Sequence, residues 1–460
     1  MTHDAKAQPA AAADIAAAPR PLPSTGALSG VLEALAFFRD PGFAQKRFAE
    51  HGNVFATKLL GQPLVFVRGG RAIGDLFASA EASEGWWPAS VKALLGSRSL
   101  ANRNGPDHRA RRRVVGQLFS AAALRRYSPG IVILVEELRQ ELAAASTPEQ
   151  LVERLRRFAF SVIATVVLGL EGDDREALFR DFEIWTRALF SVPLAFPGSP
   201  FAQALQARGR LLERLGVVLR RSRERAAAGE PLAGGLDLLS GGLDEAGLPL
   251  DDADVVEQLL LLLFAGYETT ASSLSCLFTA VLQHPELESW WRPELETLSW
   301  PPTPEQAAST YDAAAAPRLS TLIAEVMRLN PPVGGFFRSS TADLVLDGVA
   351  VPAGMVIQVA LAASNRYRED GAGGDDLEAF RPQRHLEGES GLSLLPFGGG
   401  EQVCLGKALA ELEIRLMAVG LLGRLPLRLA PEDQDLSLQL IPSPTPRGGL
   451  RVLAAATGAR

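Results

Sequence analysis

Residues 397–406 read FGGGEQVCLG, from Phe397 to Gly406, and the apolar-periodic run KALAELEIRLMAVGLL follows at once. Cys404 sits between three glycines and Gly406, at the start of what the periodicity predicts as a helix. Glycines at 398, 399 and 400 permit positive φ and would let a flat ligand lie against bare backbone. A helix beginning near Gly406 turns its N-terminal amides and the positive end of its dipole towards Cys404, which favours the charged form of sulfur. These features are those of a thiolate presented to a metal. A cysteine taken alone is more often a small buried hydrophobe; the glycine frame reverses that expectation.

The rest of the composition sets bounds. The chain has 460 residues, 47% hydrophobic and 22% charged, with no internal linker or repeat. That predicts one large, mostly helical domain over residues 26–460. Residues 1–25 are rich in Ala and Pro, lack a basic segment followed by an apolar one, and read as a disordered tail. Two cysteines, Cys276 and Cys404, make no disulfide framework, and a reducing cytoplasm suits a thiolate. A net charge of −7 argues against nucleic acid as a partner. The longest apolar run, Leu259 to Ala265, is too short to span a bilayer and is followed by Glu268, so no transmembrane segment is expected. Loose membrane association through PRPLPSTG and its apolar sequel stays open.

The spacing Phe, two residues, Gly, three residues, Cys, one residue, Gly resembles the signature of the haem-thiolate monooxygenases, the cytochrome P-450 family. The resemblance implies a mainly α fold with a long central helix and a smaller β-rich lobe. It also implies haem b (iron protoporphyrin IX) on Cys404 as axial thiolate, the ligand with which such iron cleaves an O–O bond. Phe397, Gly398, Gln402 and Gly406 would surround it. One position departs from the pattern. The family usually has Arg or His two residues before the cysteine, bonded to a haem propionate; Gln402 can donate a hydrogen bond but brings no charge.

Other stretches take their place around this one. NVFATKLLGQPLVFVRGG gives two β-rich runs about Gly61-Gln62, a hairpin of the small lobe. In HRARRR, His108 and Arg112 are four apart, on one helical face, and reach the same anion. The resemblance makes that anion a haem propionate and adds Arg338 as a second cation for it. Arg109, Arg111 and Arg113 fall on other faces, where some would form a basic patch for an acidic electron donor. The central helix is expected from Asp251 or Asp254 to just before Pro285, about 45 Å at ~1.5 Å per residue. Its middle reads FAGYETTASSL, and Gly266 there costs ~1 kcal/mol against Ala, so it wants a reason. In the resembled family Ala265 and Gly266 lie over the haem, with a local opening for O2, and Glu268 and Thr269 relay protons as catalytic acid and alcohol. Glu325, Arg328 and Arg384 would form a buried structural network behind the haem. Residues 287–319 show no clean period.

LFSVPL, the Arg-rich helix that follows it and WWPASVKALLG are similar to the retinoic-acid-hydroxylase branch and its bacterial relatives. Trp86, Trp87, Phe190, Phe264, Val333, Phe336 and Phe337 are the expected pocket wall. The expected substrate is apolar: retinoic acid, an apocarotenoid or a terpenoid-like chain first, a fatty acid or other lipid second. The resemblance covers Pro41 to Ala455 and leaves no room for a fused reductase. Electrons would come from a separate donor such as ferredoxin or flavodoxin with its reductase. A haem protein that binds a ligand without turning it over is the alternative of another class, as is a peroxide-driven enzyme; Glu268 and Thr269 speak against the latter.

Overall fold

The computed structural model describes residues 18–26, 30–40, 42–59, 61–170, 172–189, 193–230, 234–243, 247–248, 250–309, 314–370, 375–387, 394–431 and 433–454. Helices α1 (Gly30–Arg39) and α2 (Phe43–His51) lead into strands β1 (Val54–Leu59) and β2 (Gln62–Val67). The expected hairpin forms, with register from Val54↔Val67 to Leu59↔Gln62. Gly61 turns it at φ 84°, a conformation side chains disfavour. Then come α3 (Gly70–Ala78) and β3 (Ser83–Gly85).

The helical part runs α4 (Ala89–Leu95), α5 (Gly105–Gly116), α6 (Ala121–Ala144), the short β4 (Glu149–Gln150), and α7 (Leu151–Ser161) with its π-helical extension Val162–Val167. It continues through α8 (Gly172–Arg187), α9 (Pro200–Ala227), α10 (Gly235–Ser240), α11 (Asp252–Gln283), α12 (Glu288–Thr297), α13 (Pro304–Ser309) and α14 (Pro317–Leu329). Strands β5 (Phe336–Ser340), β6 (Leu344–Leu346), β7 (Val349–Val351) and β8 (Val356–Val359) return to the small lobe. Helices α15 (Leu361–Ser364) and α16 (Lys407–Met417) and strands β9 (Leu427–Leu429), β10 (Leu438–Gln439), β11 (Thr445–Pro446) and β12 (Arg451–Ala454) complete the chain. The small lobe's sheet has the order β1-β2-β8-β5-β3, with β8 parallel to β2. Residues nearly 300 positions apart thus close one sheet, and this holds β5, which carries Arg338, beside β3.

Asp251 starts α11: its carboxylate accepts the Ala253 N–H at 3.1 Å, the N-cap expected from sequence. The 32 residues cross about 48 Å and end before Pro285. Leu259, Leu260, Leu263, Leu274 and Phe278 are fully buried, and α7, α9, α14 and α16 pack around them. By length and composition α11 could cross a membrane, but 67% of its most apolar window is inside the fold.

Two sequence expectations change. Arg20 and Ser24 bridge Val349 and Ala56, so residues 20–25, expected in the tail, make backbone contacts. Within 287–319, where no period was read, α12 and α13 form; Trp291, Leu295 and Leu298 are buried at helical spacing despite Pro293.

Candidate functional site

Gly398 (φ 70°) and Gly400 (φ 66°) take left-handed conformations that fold the loop back, so that Phe397 O accepts the Cys404 N–H at 2.9 Å. The expectation of bare backbone facing a ligand is corrected at two of these glycines. A Cβ on Gly399 would lie 2.5 Å from the Phe77 ring and one on Gly400 3.1 Å from it. Their missing side chains make room for Phe77. Gly406 caps α16, and a Cβ there would sit at ordinary contact distance, 3.9 Å, from Cys404 Sγ.

Cys404 is exposed, whereas Cys276 is buried. Protein on its other sides nevertheless withholds water, and burial pushes the thiol up; the Gly406 and Lys407 N–H groups and the Arg112 charge pull it down without prevailing. The helix-dipole argument has the right sign and too little strength. A metal cation at the sulfur would hold it as thiolate at neutral pH.

Helix α5 brings the cations. His108 is 4% exposed, and among the described residues its Nδ1 has no hydrogen-bond partner. Arg112 Nη2 donates to Val403 O at 2.5 Å, joining α5 to the cysteine loop. Across from them, Arg338 stacks on Phe336 at 4.6 Å and donates to Phe337 O at 3.0 Å. Burial lowers its pKa to about 10, against the pull of Glu401. Burial also lowers His108, which Arg112 and Arg338 lower further and Glu401 opposes. A buried imidazole beside two desolvated guanidinium groups fits a ligand carrying carboxylates. Gln402 turns elsewhere: its Nε2 lies 3.3 Å from Asn104 Oδ1, and its amide fills the space against Gly85.

On α11, Ala265 is exposed between buried Leu263 and Tyr267, and Thr269 one turn on is half-buried. Thr269 Oγ1 donates to Ala265 O at 2.6 Å, and α11 is helical throughout, without the expected opening. Gly266 does not face that open strip. A Cβ on it would meet Ile163 of the π-helical segment at 3.0 Å, so this glycine lets α11 approach α7. Glu268 points to α7 as well, its Oε1 3.4 Å from Arg156 Nη2. Burial raises its pKa and Arg156 opposes the rise.

Behind the cysteine helix, Glu325 Oε2 accepts from Arg328 Nε at 2.8 Å and Oε1 from Arg384 Nε at 3.0 Å, all three side chains fully buried. His385 Nε2, at 2.9 Å, and the Arg381 N–H, at 2.9 Å, add to the site. Burial would raise Glu325, yet these partners hold it down at about 2.

The expected pocket wall is divided. Trp86 meets Phe337 edge-on at 5.5 Å in the small lobe, and Phe336 stacks with Phe77 at 6.1 Å on the other face of β5. Trp87 and Phe264 belong to the main core, Phe264 against Trp185 at 5.8 Å; Val333 is exposed. Phe190 lies outside the described residues. Arg111, expected on a face other than that of His108 and Arg112, is 4% exposed and pairs with Asp254 of α11 at 2.8 Å. Arg156 and Glu401 were not singled out by sequence, because their partners are distant in the chain.

A glycine-framed exposed cysteine, a cluster of buried cations and an open strip on a crossing helix define a haem-thiolate protein. The family model described as Cytochrome P450 matches residues 21–446, and the chain belongs to the cytochrome P450 family. It is therefore a monooxygenase of mainly α fold, of a family that uses haem on a cysteine thiolate, O2 and a separate redox partner. A Synechocystis sp. protein assigned to cytochrome P450 120 is 32% identical over 426 residues, 91% of this chain and 93% of its own. Cytochrome P450 26B1 of Danio rerio is 31% identical over 427 residues, 90% of this chain and 83% of its own. The solved structure of retinoic acid bound cyanobacterial CYP120A1 matches with TM-score 0.84 and 31% identity, covering 95% of this chain and 100% of that one.

Proposed function

We propose that this chain hydroxylates a C–H bond of retinoic acid or a related apocarotenoid, using haem b on Cys404 and electrons from a cytoplasmic ferredoxin or flavodoxin with its reductase. The observation that carries the substrate is the likeness, over 95% of the chain, to a cyanobacterial enzyme solved with retinoic acid bound. His108, Arg112 and Arg338 would hold the porphyrin carboxylates, and Cys404 the iron. Bound there, the haem supplies the activation of dioxygen for insertion into a C–H bond.

The chain's own residues handle the protons. Burial lets Glu268 keep a proton to higher pH than an exposed glutamate, while Arg156 keeps its anion accessible. Arg156 Nη1 also reaches Glu153 Oε1 at 3.0 Å, whose side chain is 65% exposed. Water therefore meets this network at Glu153, Arg156 orients the Glu268 carboxyl, and proton delivery to the Thr269 hydroxyl requires Glu268 to turn away from Arg156. That hydroxyl, now on Ala265 O, serves the open strip of α11 once it rotates.

The test is titration of the purified ferric protein with retinoids, carotenoid fragments and fatty acids. A low-to-high-spin shift with retinoic acid, and donor-dependent oxidation with a surrogate ferredoxin and reductase, are expected. A shift with fatty acids alone would overturn the substrate assignment.

A further inference from the structure

Glu401 stands three residues before Cys404, in the turn that carries the departure at Gln402. Its Oε1 lies 3.6 Å from His108 Nδ1 and 3.4 Å from Arg109 Nη1. Its charge is also felt by Arg112 and by the buried Arg338. One carboxylate thus lies against His108 and Arg109 and acts on the charges of Arg112 and Arg338. Two more, Glu81 and Glu84, line the adjoining cavity of about 170 Å³ together with Glu401, Arg109, Arg338 and Gln402, and all three carboxylates reach solvent.

The second observation is Gln402. Its amide is taken by Asn104, which in turn accepts the Gly85 N–H at 2.9 Å and donates to Gly85 O at 3.2 Å. A side chain fixed to the end of α5 and to β3 positions the loop and supplies no positive charge. The cysteine turn therefore adds a carboxylate to the cation cluster and nothing to balance it.

We infer that Glu401 is a resident rival of the haem carboxylates, weakening the hold of this chain on its haem and stabilising ferric over ferrous iron. This rests on His108, Arg112 and Arg338 being the propionate site. The physics is Coulombic: a negative charge among the cations that receive a dianion repels that dianion. It also favours the redox state carrying the greater positive charge. Glu401 is a tuning residue by this account, since it acts through the cations.

The experiment uses purified haem-loaded protein as wild type, Glu401→Gln, Glu401→Asp and Arg338→Gln. Haem transfer to excess apomyoglobin and the ferric–ferrous midpoint potential are measured for each. Glu401→Gln, nearly isosteric and partly exposed, should lose haem about fivefold more slowly and shift the midpoint to more positive potential. Glu401→Asp, which keeps the charge, should resemble wild type. Faster haem loss in Glu401→Gln, no change in either measurement, or Glu401→Asp tracking Glu401→Gln would each overturn the inference. Arg338→Gln should lose haem faster; if it does not, the propionate site itself is misplaced, whatever Glu401 does.

Discussion

Arg156 Nη2 lies 3.4 Å from Glu268 Oε1 and so ties α7 to the middle of α11. The pair sets the protonation of Glu268 by opposition: burial raises its pKa and Arg156 restrains the rise. Arg156→Gln removes the restraint, so Glu268 should stay protonated to higher pH. The limb of the pH–rate profile that reports this carboxyl should then move to higher pH. Glu268→Gln should lack that limb and turn over on the order of 10²-fold more slowly. Profiles of product formation against pH, identical in wild type and Arg156→Gln, would remove Arg156 from the proton path.

Thr269 is the hydroxyl one turn from the exposed Ala265, and it donates to the Ala265 carbonyl at 2.6 Å. Thr269→Ala leaves helix α11 intact, because the bond it deletes is local to the helix. The expected effect is on coupling: reducing equivalents should go to peroxide while haem content and substrate-induced spin shift stay as in wild type. Peroxide released per NAD(P)H consumed checks this, and coupling as tight as wild type would place the alcohol role elsewhere.

Without metal, the Cys404 thiol titrates above the ordinary value of 9.0, because burial outweighs the amides of Gly406 and Lys407 and the charge of Arg112. Haem-free protein should therefore react slowly with iodoacetamide at pH 7, and the rate should rise through a midpoint above 9.0. Arg112→Gln should move that midpoint higher still. In the haem-loaded protein, Cys404→Ser should abolish the thiolate-type Soret band of the reduced CO complex. Rapid alkylation at pH 7 would contradict the balance of charges described here.

What the sequence makes legible is local. The FGGG frame, the His108–Arg112 spacing, the Asp251 cap and the Gly61 hairpin all rest on residues within a few positions of one another. The physics of turns, caps and helix faces reads such groups directly. The pairs that fix direction are different in kind. Gly399 is bare because of Phe77, Gly266 because of Ile163, and Arg111 is buried because of Asp254. Each of those partners is more than a hundred residues away, and no periodicity announces it. The aromatic residues suffered most, since an apolar side chain carries no label for the core it joins.

Gly399 offers a test of packing independent of haem chemistry. A Cβ there would meet the Phe77 ring at 2.5 Å, closer than real Cβ contacts permit, so Gly399→Ala should destabilise the fold by roughly 1–3 kcal/mol. Phe77→Leu alone removes ring area and should also destabilise. The double variant should be more stable than the two single effects predict, because the smaller side chain admits the new methyl group. Urea unfolding of the four proteins measures the coupling, and strict additivity would show that the glycine is there for another reason.

Glu325 carries the strongest stability prediction. Its folded pKa of about 2 lies below the ordinary 4.5, so its contribution is fully present above about pH 4.5 and is lost as pH falls towards 2. Glu325→Gln leaves Arg328 and Arg384 buried beside a neutral group, which should cost roughly 3–5 kcal/mol at pH 7. Because protonation of wild-type Glu325 produces a similar neutral group, the gap between the two proteins should narrow as pH drops below about 4.5. Urea midpoints at pH 7 and pH 4 make the comparison. A gap that stays constant would mean that the network holds α14 to residues 375–385 through the arginine-to-carbonyl bonds of Arg328 and Arg384, with the carboxylate charge contributing little.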